Sequence, residues 1–465
     1  MQAVLLIDFG STFTKLTAVD LEERRILAAA QSFTTVESDV MQGFNCALEI
    51  LQEQLGGVEF IKRLACSSAA GGLRMVASGL VPSLTAKAAK LAAFGAGAKV
   101  IKTFSYELTD EDIDVIDDIA PDIFLLTGGT DGGNVKVIQH NAGLIATAKK
   151  PFPIVIAGNR SAAKVCHEVI ASDIHPTYIT ENVMPELNRL NIAPAQAVIR
   201  EIFLDRIVSA KGLSHEKALI EGIIMPTPAS VLAALSLLSK GTEKTEGIGE
   251  IMCADLGGAT TDVYSIAKGY PLNPSVMLSG LREPFEKRSV EGDIGMRYSA
   301  KGIVDAQGLE EIINISGLSK EEAENYLSEI SKDKSRLPSD NKTKAMDFAL
   351  AALAIRTALI RHAGELERIY TPSGAVYKQQ GKDLTGIDKI ILTGGALVHS
   401  DNPQAILDIA ISNIEESSLV PRNPKAIVDR GYILSAMGLL STYDEESAIN
   451  IMKQYIGGHV DGTGQ

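Results

Sequence analysis

One short pattern occurs twice in this chain and limits its fold more than any other feature. Asp8-Phe9-Gly10-Ser11-Thr12-Phe13-Thr14-Lys15 follows the apolar run Val4-Leu5-Leu6-Ile7, and Asp255-Leu256-Gly257-Gly258-Ala259-Thr260-Thr261-Asp262 follows Ile251-Met252-Cys253-Ala254. Each reads as a buried strand with an acid at its end, a tight turn and a second strand, Leu16 to Asp20 in the first and Val263 to Ala267 in the second. Glycine in the turn lets the backbone reverse without a Cβ clash, so backbone N–H groups can approach an anion closely. The small hydroxyl residues add donors. The carboxylate cannot hold a phosphate itself and needs a cation between, most simply hydrated Mg²⁺. Two such hairpins facing one another would hold one nucleoside triphosphate between two halves of a molecule.

At 465 residues the chain is too long for one small core. Its hydrophobic content of 45% with 22% charged residues is that of an ordinary soluble globular protein. A net charge of -14, with no basic run, argues against a nucleic-acid-binding face and against anionic membrane surfaces. The N-terminal apolar run stops at Asp8 without a basic flank, so no signal peptide is expected, and no apolar stretch is long enough to span a bilayer. Cys46, Cys66, Cys166 and Cys253 are scattered, with no CxxC pair or Cys/His cluster, which disfavours a zinc site and fits a reducing cytoplasm.

Between residues 61 and 180 short apolar runs (Leu64–Cys66, Val100–Phe104, Ile123–Leu126, Ile154–Ile156) alternate with helical stretches at Thr85–Gly95, Thr109–Ile119, Asn134–Ala148 and Ser161–Ala171. That alternation predicts βα units, a parallel sheet and a separate inserted domain. Its Gly-rich turns, Ser67–Gly72, Thr127–Asn134 and Gly158-Asn159, fall at strand ends, where they are either tight connections or a second ligand site. Downstream, Met225-Pro226-Thr227-Pro228 opens a helix rich in small residues, and Gly241–Gly249 reads as a linker. Glu291 and Asp293 read as caps of a following helix. Met346, Leu350, Leu353, Thr357 and Ile360 mark one face of a long helix. Ile390-Ile391-Leu392-Thr393-Gly394-Gly395-Ala396 is a strand ending in a glycine pair, and Asp429–Leu440 is a second small-residue helix.

Taken in order, these pieces resemble the actin/Hsp70/sugar-kinase ATPase superfamily. The resemblance implies an α/β fold of two lobes, each a ribonuclease H-like domain, with ATP and Mg²⁺ in the cleft and an inserted α/β domain in the first lobe. It implies a first-lobe core over 1–60, the insert over 61–180, completion of the first lobe with a connecting helix over 181–241, a second lobe over 242–428, and a second connecting helix over 429–465. Asp8 and Asp255 would be catalytic and would hold Mg²⁺ through water. Gly10, Ser11, Thr12, Thr14 and Lys15, then Gly257, Gly258, Ala259, Thr260 and Thr261, would line the phosphates, and Gly394, Gly395 and Ala396 the adenosine. One departure stands out: Hsp70-like members carry a Glu just before the first connecting proline, where this chain has Met225.

Within the superfamily, Ser67–Met75, Leu126–Asn134, Met225–Pro228 and Gly292-Asp293-Ile294-Gly295-Met296-Arg297 together resemble the MutL/GlmL family, which is unrelated to the mismatch-repair MutL. This resemblance implies an ATP-dependent chaperone that reactivates a B12-dependent glutamate (methylaspartate) mutase, with mutase subunits as partners and lobe motion releasing damaged cobalamin. Three alternatives stay open: a small-molecule kinase, an iron–sulfur activator of a radical enzyme, and a filament-forming actin-like protein.

Overall fold

The computed structural model describes residues 2–10, 13–34, 40–68, 73–210, 223–372 and 374–456. Ser11, Thr12, the turn residues 69–72 and the tail from Gly457 lie outside the described residues. The chain divides into two compact units. Unit 1 is Met1–Ala234 with Gly280–Arg282 and Leu434–Ile451, and unit 2 is Leu235–Ser279 with Glu283–Ile433 and Met452–Gln465.

Unit 1 contains β1 (Ala3–Phe9), β2 (Phe13–Asp20), β3 (Arg25–Phe33), β4 (Phe60–Ser67), β5 (Arg74–Gly79), β6 (Lys99–Ser105), β7 (Ile123–Leu126), β8 (Ile154–Ile156), β9 (Thr177–Ile179) and β10 (Ile223–Pro226). Its central sheet has the order β10-β4-β1-β2-β3. The first three strands form an antiparallel meander, while β4 and β10 join in parallel. Strand β1 is apolar on both faces and buried throughout, as a central strand covered on two sides must be.

Unit 2 contains β11 (Ile251–Leu256), β12 (Thr261–Ile266), β13 (Val276–Ser279), β14 (Glu286–Glu291), β15 (Glu365–Thr371), β16 (Gly374–Gln380), β17 (Lys389–Thr393) and β18 (Lys425–Val428). Its central sheet, β14-β12-β11-β17-β18, repeats the order and strand senses of unit 1. Three antiparallel strands followed by two parallel ones, twice in one chain, are the duplicated ribonuclease H-like arrangement. Unit 2 adds a small sheet, β13-β16-β15.

The inserted sheet is all parallel, in the order β6-β5-β7-β8-β9. It begins at Arg74 and not near residue 61, because β4 pairs with β1 in the central sheet of unit 1. It is not a self-contained body either. Met75, Ala77, Leu125 and Val155 on one face share a hydrophobic cluster with Leu5 and Ile7 of the central sheet. Val76, Phe124, Leu126 and Ile156 on the other face pack with the insert's own helices. In the Gly-rich turn Thr127–Asn134 several polar groups are taken internally. Asn159 accepts from the Gly132 amide and donates to Gly133 O and Asn134 O, and Asn182 donates to Gly129 O and Asp131 Oδ1.

The helix Asn341–His362 is buried on every side from Ala349 to Leu359, and not on one face only. Its alanines supply the surfaces that the apolar periodicity leaves out. Its last residue, His362, lies in a buried polar network of unit 2. The ring bonds Ser289 Oγ at 2.7 Å and Ser265 Oγ at 2.8 Å. Lys382 is 1% exposed and donates to Phe285 O at 2.8 Å and to Ser265 Oγ at 3.3 Å. Burial first, and then the charge of Lys287, push the Lys382 ammonium down to about 7. The same causes hold His362 well below its ordinary value, so it is neutral.

In the unfolded chain Lys382 keeps its ordinary value near 10.5. Between about pH 7 and 10.5 the unfolded state therefore binds a proton that the folded state does not, so stability rises with pH across that window. Below it the full penalty is present, and His362 adds its own below about pH 6.5. Urea unfolding should show the parent gaining on Lys382→Met by about 1 kcal/mol per pH unit from 7.5 to 9.5. A constant difference between the two proteins would mean that Lys382 is charged in the fold.

Candidate functional site

The two hairpins are closed by the same backbone hydrogen bond. In unit 1 the Gly10 amide donates to Phe13 O at 3.1 Å, and in unit 2 the Gly257 amide donates to Thr260 O at 3.0 Å. A Cβ on Gly10 would stand 2.5 Å from Phe13 O, so only glycine fits there. Thr14 and Thr261 occupy matching places across the strands and are both fully buried. Thr14 bonds Thr34 Oγ1 and Thr261 donates to Ile294 O, so both hydroxyls brace the hairpins from inside.

The partner facing each acid differs. Asp8 lies opposite Lys15, which is half-buried, whereas Asp255 lies opposite Asp262. Asp262 is tied to the buried Arg288 at 2.6 Å. Arg288 is correspondingly held above its usual range by Asp262, against the effect of its burial.

The tip of the second hairpin is oriented by the Gly292–Arg297 segment. The Met296 amide donates to Gly257 O, the Arg297 and Tyr298 amides to Gly258 O, and Ser299 Oγ to Ala259 O. Peptide planarity then directs the N–H groups of Gly258, Ala259 and Thr260 away from that segment. Gly258 and Ala259 are exposed, so the tip presents donors outward, as an anion-binding nest requires. A Cβ on Gly295 would meet the Ala259 carbonyl carbon at 2.5 Å, which explains the glycine in that segment. Arg297 anchors it through a two-pronged pair with Asp347, at 2.7 and 3.1 Å. Glu291 and Asp293 are not helix caps: both pair with Arg361 at 2.8 Å, and the next helix starts at Ala300.

Strands β11, β17 and β18 end side by side, bringing Asp255, Thr393-Gly394 and Asp429 to one sheet edge. Gly394 has φ +95° and lies 2.3 Å, at its would-be Cβ, from Leu256 O. Gly395 is exposed and Ala396 half-buried at the start of a short helix. Asp429 is 2% exposed and accepts from the Ile433 amide at 2.9 Å. Tyr432 adopts the left-handed region at φ +50°, and burial with the Asp255 and Asp429 charges pushes its phenol up to about 12. The small-residue pattern over Asp429–Leu440 predicts that Asp429 and Tyr432 lie in a helix. That helix starts only at Leu434, because the chain turns first.

In unit 1, Asp8 is 8% exposed. Thr227 Oγ1 donates to Asp8 Oδ1 at 2.6 Å, and Ser435 Oγ donates to Oδ2 at 2.8 Å. Neither hydroxyl was singled out from sequence, although both stand in the two small-residue helices. Cys66, the neighbour of Asp8 on β4, is a thiol pushed well up by burial and by the Asp8 charge. Each Asp8 oxygen accepts one hydroxyl and the Cys66 thiol also reaches the carboxylate, and the acceptor capacity that remains fits water ligands of a hydrated cation. Among the described residues, no group of three or more His, Cys, Asp or Glu is placed to cage a metal.

The duplicated sheet and the duplicated hairpin define the class: the two-unit ribonuclease H-like fold of actin-like and sugar-kinase-like ATPases. The model of the MutL protein family matches residues 4–456. A curated relative, Protein MutL of Clostridium tetanomorphum, is 49% identical over 467 residues, covering 98% of this chain and 99% of the relative. The chain belongs to the MutL protein family. Among solved structures, it is similar to the activator of 2-hydroxyisocaproyl-CoA dehydratase from Clostridium difficile with bound ADPNP, at 10% identity and a TM-score of 0.34, covering 97% of this chain and 98% of that one. It is similar also to a ligand-bound xylulose kinase from Lactobacillus acidophilus, at 9% identity and a TM-score of 0.35, covering 97% and 92%. Both likenesses are remote. No helix among the described residues is long and apolar enough to cross a membrane.

The two glycines of the Thr393–Ala396 turn should respond differently to a methyl group. Gly394→Ala has to strain φ and displace Leu256, and is expected to cost about 1–3 kcal/mol in denaturant unfolding. Gly395→Ala has nothing within 4 Å of the new Cβ and should stay within about 0.5 kcal/mol of the parent. Equal losses at the two positions would contradict the geometry of the turn.

Proposed function

We propose that the chain binds and hydrolyses MgATP, and spends the resulting conformational change on reactivating an adenosylcobalamin-dependent mutase of the glutamate mutase kind. The observation that carries this reading is the repeated hairpin, with an acid at the strand end and, in unit 2, three backbone N–H groups turned outward. Those donors suit phosphate oxygens, and Lys15 adds a positive charge beside the first acid. Gly394, Gly395 and Ala396 offer an open backbone surface for the adenosine. Mg²⁺, when bound, supplies concentrated positive charge to the phosphate oxygens. In unit 1 Asp8 would hold waters of such a cation and orient the attacking water, Asp255 is the corresponding carboxylate of unit 2, and Ser11 and Thr12 follow Asp8 in the first phosphate motif of the sequence. The mutase subunits are the proposed partners, and family membership supports that choice. The same reading sets the protein in the cytoplasm, where its four free cysteines would stay reduced.

We assign the partner contact to the insert, whose edge strand β9 and neighbouring helix expose Val165, Val169 and Tyr178. Because the insert shares its core with the central sheet, the contact is tested by surface substitution and not by deletion. Val165→Glu with Val169→Glu should leave nucleotide binding intact and abolish capture of an inactivated mutase. Undiminished capture would place the docking face elsewhere.

Asp8→Ala and Asp255→Ala should each lower single-turnover hydrolysis by about 10²–10³, with a much smaller loss of nucleotide affinity. Parent-like rates would put the catalytic carboxylates elsewhere. Basal turnover should be slow, since Met225 stands where Hsp70-like members have Glu, and should rise on adding B12-dependent mutase subunits. Turnover driven instead by a small hydroxylated metabolite that is consumed would identify a kinase.

A further inference from the structure

We propose that Thr227 and Ser435 are positioning residues for Asp8, fixing its carboxylate so that a hydrated divalent cation binds through water, and linking that cation to two of the chain segments at which the chain passes from one unit to the other. This rests on the MgATP reading above. Three hydrogen bonds make a closed circuit. Thr227 Oγ1 donates to Asp8 Oδ1 at 2.6 Å, Ser435 Oγ donates to Asp8 Oδ2 at 2.8 Å, and Ser230 Oγ donates to Ser435 O at 2.6 Å. Thr227 and Ser230 lie on one helix, Thr227–Lys240, and Ser435 on another, Leu434–Ser441. The circuit therefore ties the hairpin acid to two helices at once.

Each of those helices lies at a point where the chain changes unit. The first carries it out of unit 1 after Ala234, and the second begins where it returns, at Leu434. Close approach is built in: a Cβ on Gly438 would fall 1.8 Å from Ser230 O. Both hydroxyls donate to the carboxylate, one to each oxygen. With one hydroxyl on each oxygen, rotation of the carboxylate breaks two short bonds. The remaining acceptor capacity of the carboxylate is thereby held in fixed directions, where it would accept from waters of a hydrated cation.

If the hydroxyls serve only to satisfy a buried charge, removing one lowers stability and leaves cation affinity alone. If they position Asp8, cation affinity moves as well. The experiment measures by calorimetry the affinity of a non-hydrolysable ATP analogue across a series of Mg²⁺ concentrations, with thermal unfolding as the check on folding. Thr227→Val, which keeps the shape and removes the hydroxyl, and Ser435→Ala should each need about tenfold more Mg²⁺ for half-maximal binding. Thr227→Ser, which restores the donor, should behave as the parent. Ser435→Ala removes a single atom from a helix and keeps the test open if Thr227→Val does not fold. Parent-like Mg²⁺ dependence in Ser435→Ala and Thr227→Val, or no recovery in Thr227→Ser, overturns the positioning role while leaving the MgATP reading standing. Absence of Mg²⁺-dependent binding in the parent overturns both.

Discussion

Unit 1 depends on giving a buried carboxylate its donors. Asp8 is 8% exposed at the end of a fully apolar strand. A charge buried there costs several kcal/mol unless it is hydrogen-bonded. Its donors come from positions 219 and 427 residues further along the chain. The N-terminal hairpin is thus complete only when β10 has joined the sheet and the C-terminal segment has returned. That requirement explains the small residues of both connecting helices, since a bulkier side chain at Gly438 would hold the second helix away from Ser230.

The duplication keeps the strand pairing and the closing bond and changes the charges. Both hairpins close through the same glycine amide, and both are braced by a buried threonine. In unit 1 a lysine faces the acid. In unit 2 an aspartate does, paired with Arg288, while the charges of Asp255 and Asp429 both act on Tyr432. A phosphate nest needs outward N–H groups, and in unit 2 the Gly292–Arg297 segment supplies this by taking the tip carbonyls. The glycine at 295 serves that packing and is not itself a ligand-facing residue.

Much of this was legible in the sequence because the signals were local. The apolar runs ending in Asp8 and Asp255 are strands, and the alternation after residue 99 gives β6, β7 and β8 with their helices. What escaped needed tertiary information. Strand β4 reads like the first strand of the insert, and only its pairing with β1 assigns it to the central sheet. Strand β5, Arg74–Gly79, ends in small residues and has too weak an apolar pattern to stand out. The hydroxyls on Asp8 lie hundreds of residues away in segments that read as plain helices, and no spacing rule joins them. The ties of Glu291 and Asp293 to Arg361 are equally non-local, and a helix cap was the natural local reading.

The central claim is that each hairpin is a phosphate-binding element for a Mg²⁺-bound nucleotide. Amide hydrogen exchange with and without a non-hydrolysable ATP analogue and Mg²⁺ tests it most directly, because the N–H groups in question are the proposed ligands. The account predicts slowed exchange at residues 8–13 and at residues 257–261 together, and only when Mg²⁺ is present. Protection confined to one hairpin, or found only elsewhere in the chain, would contradict it.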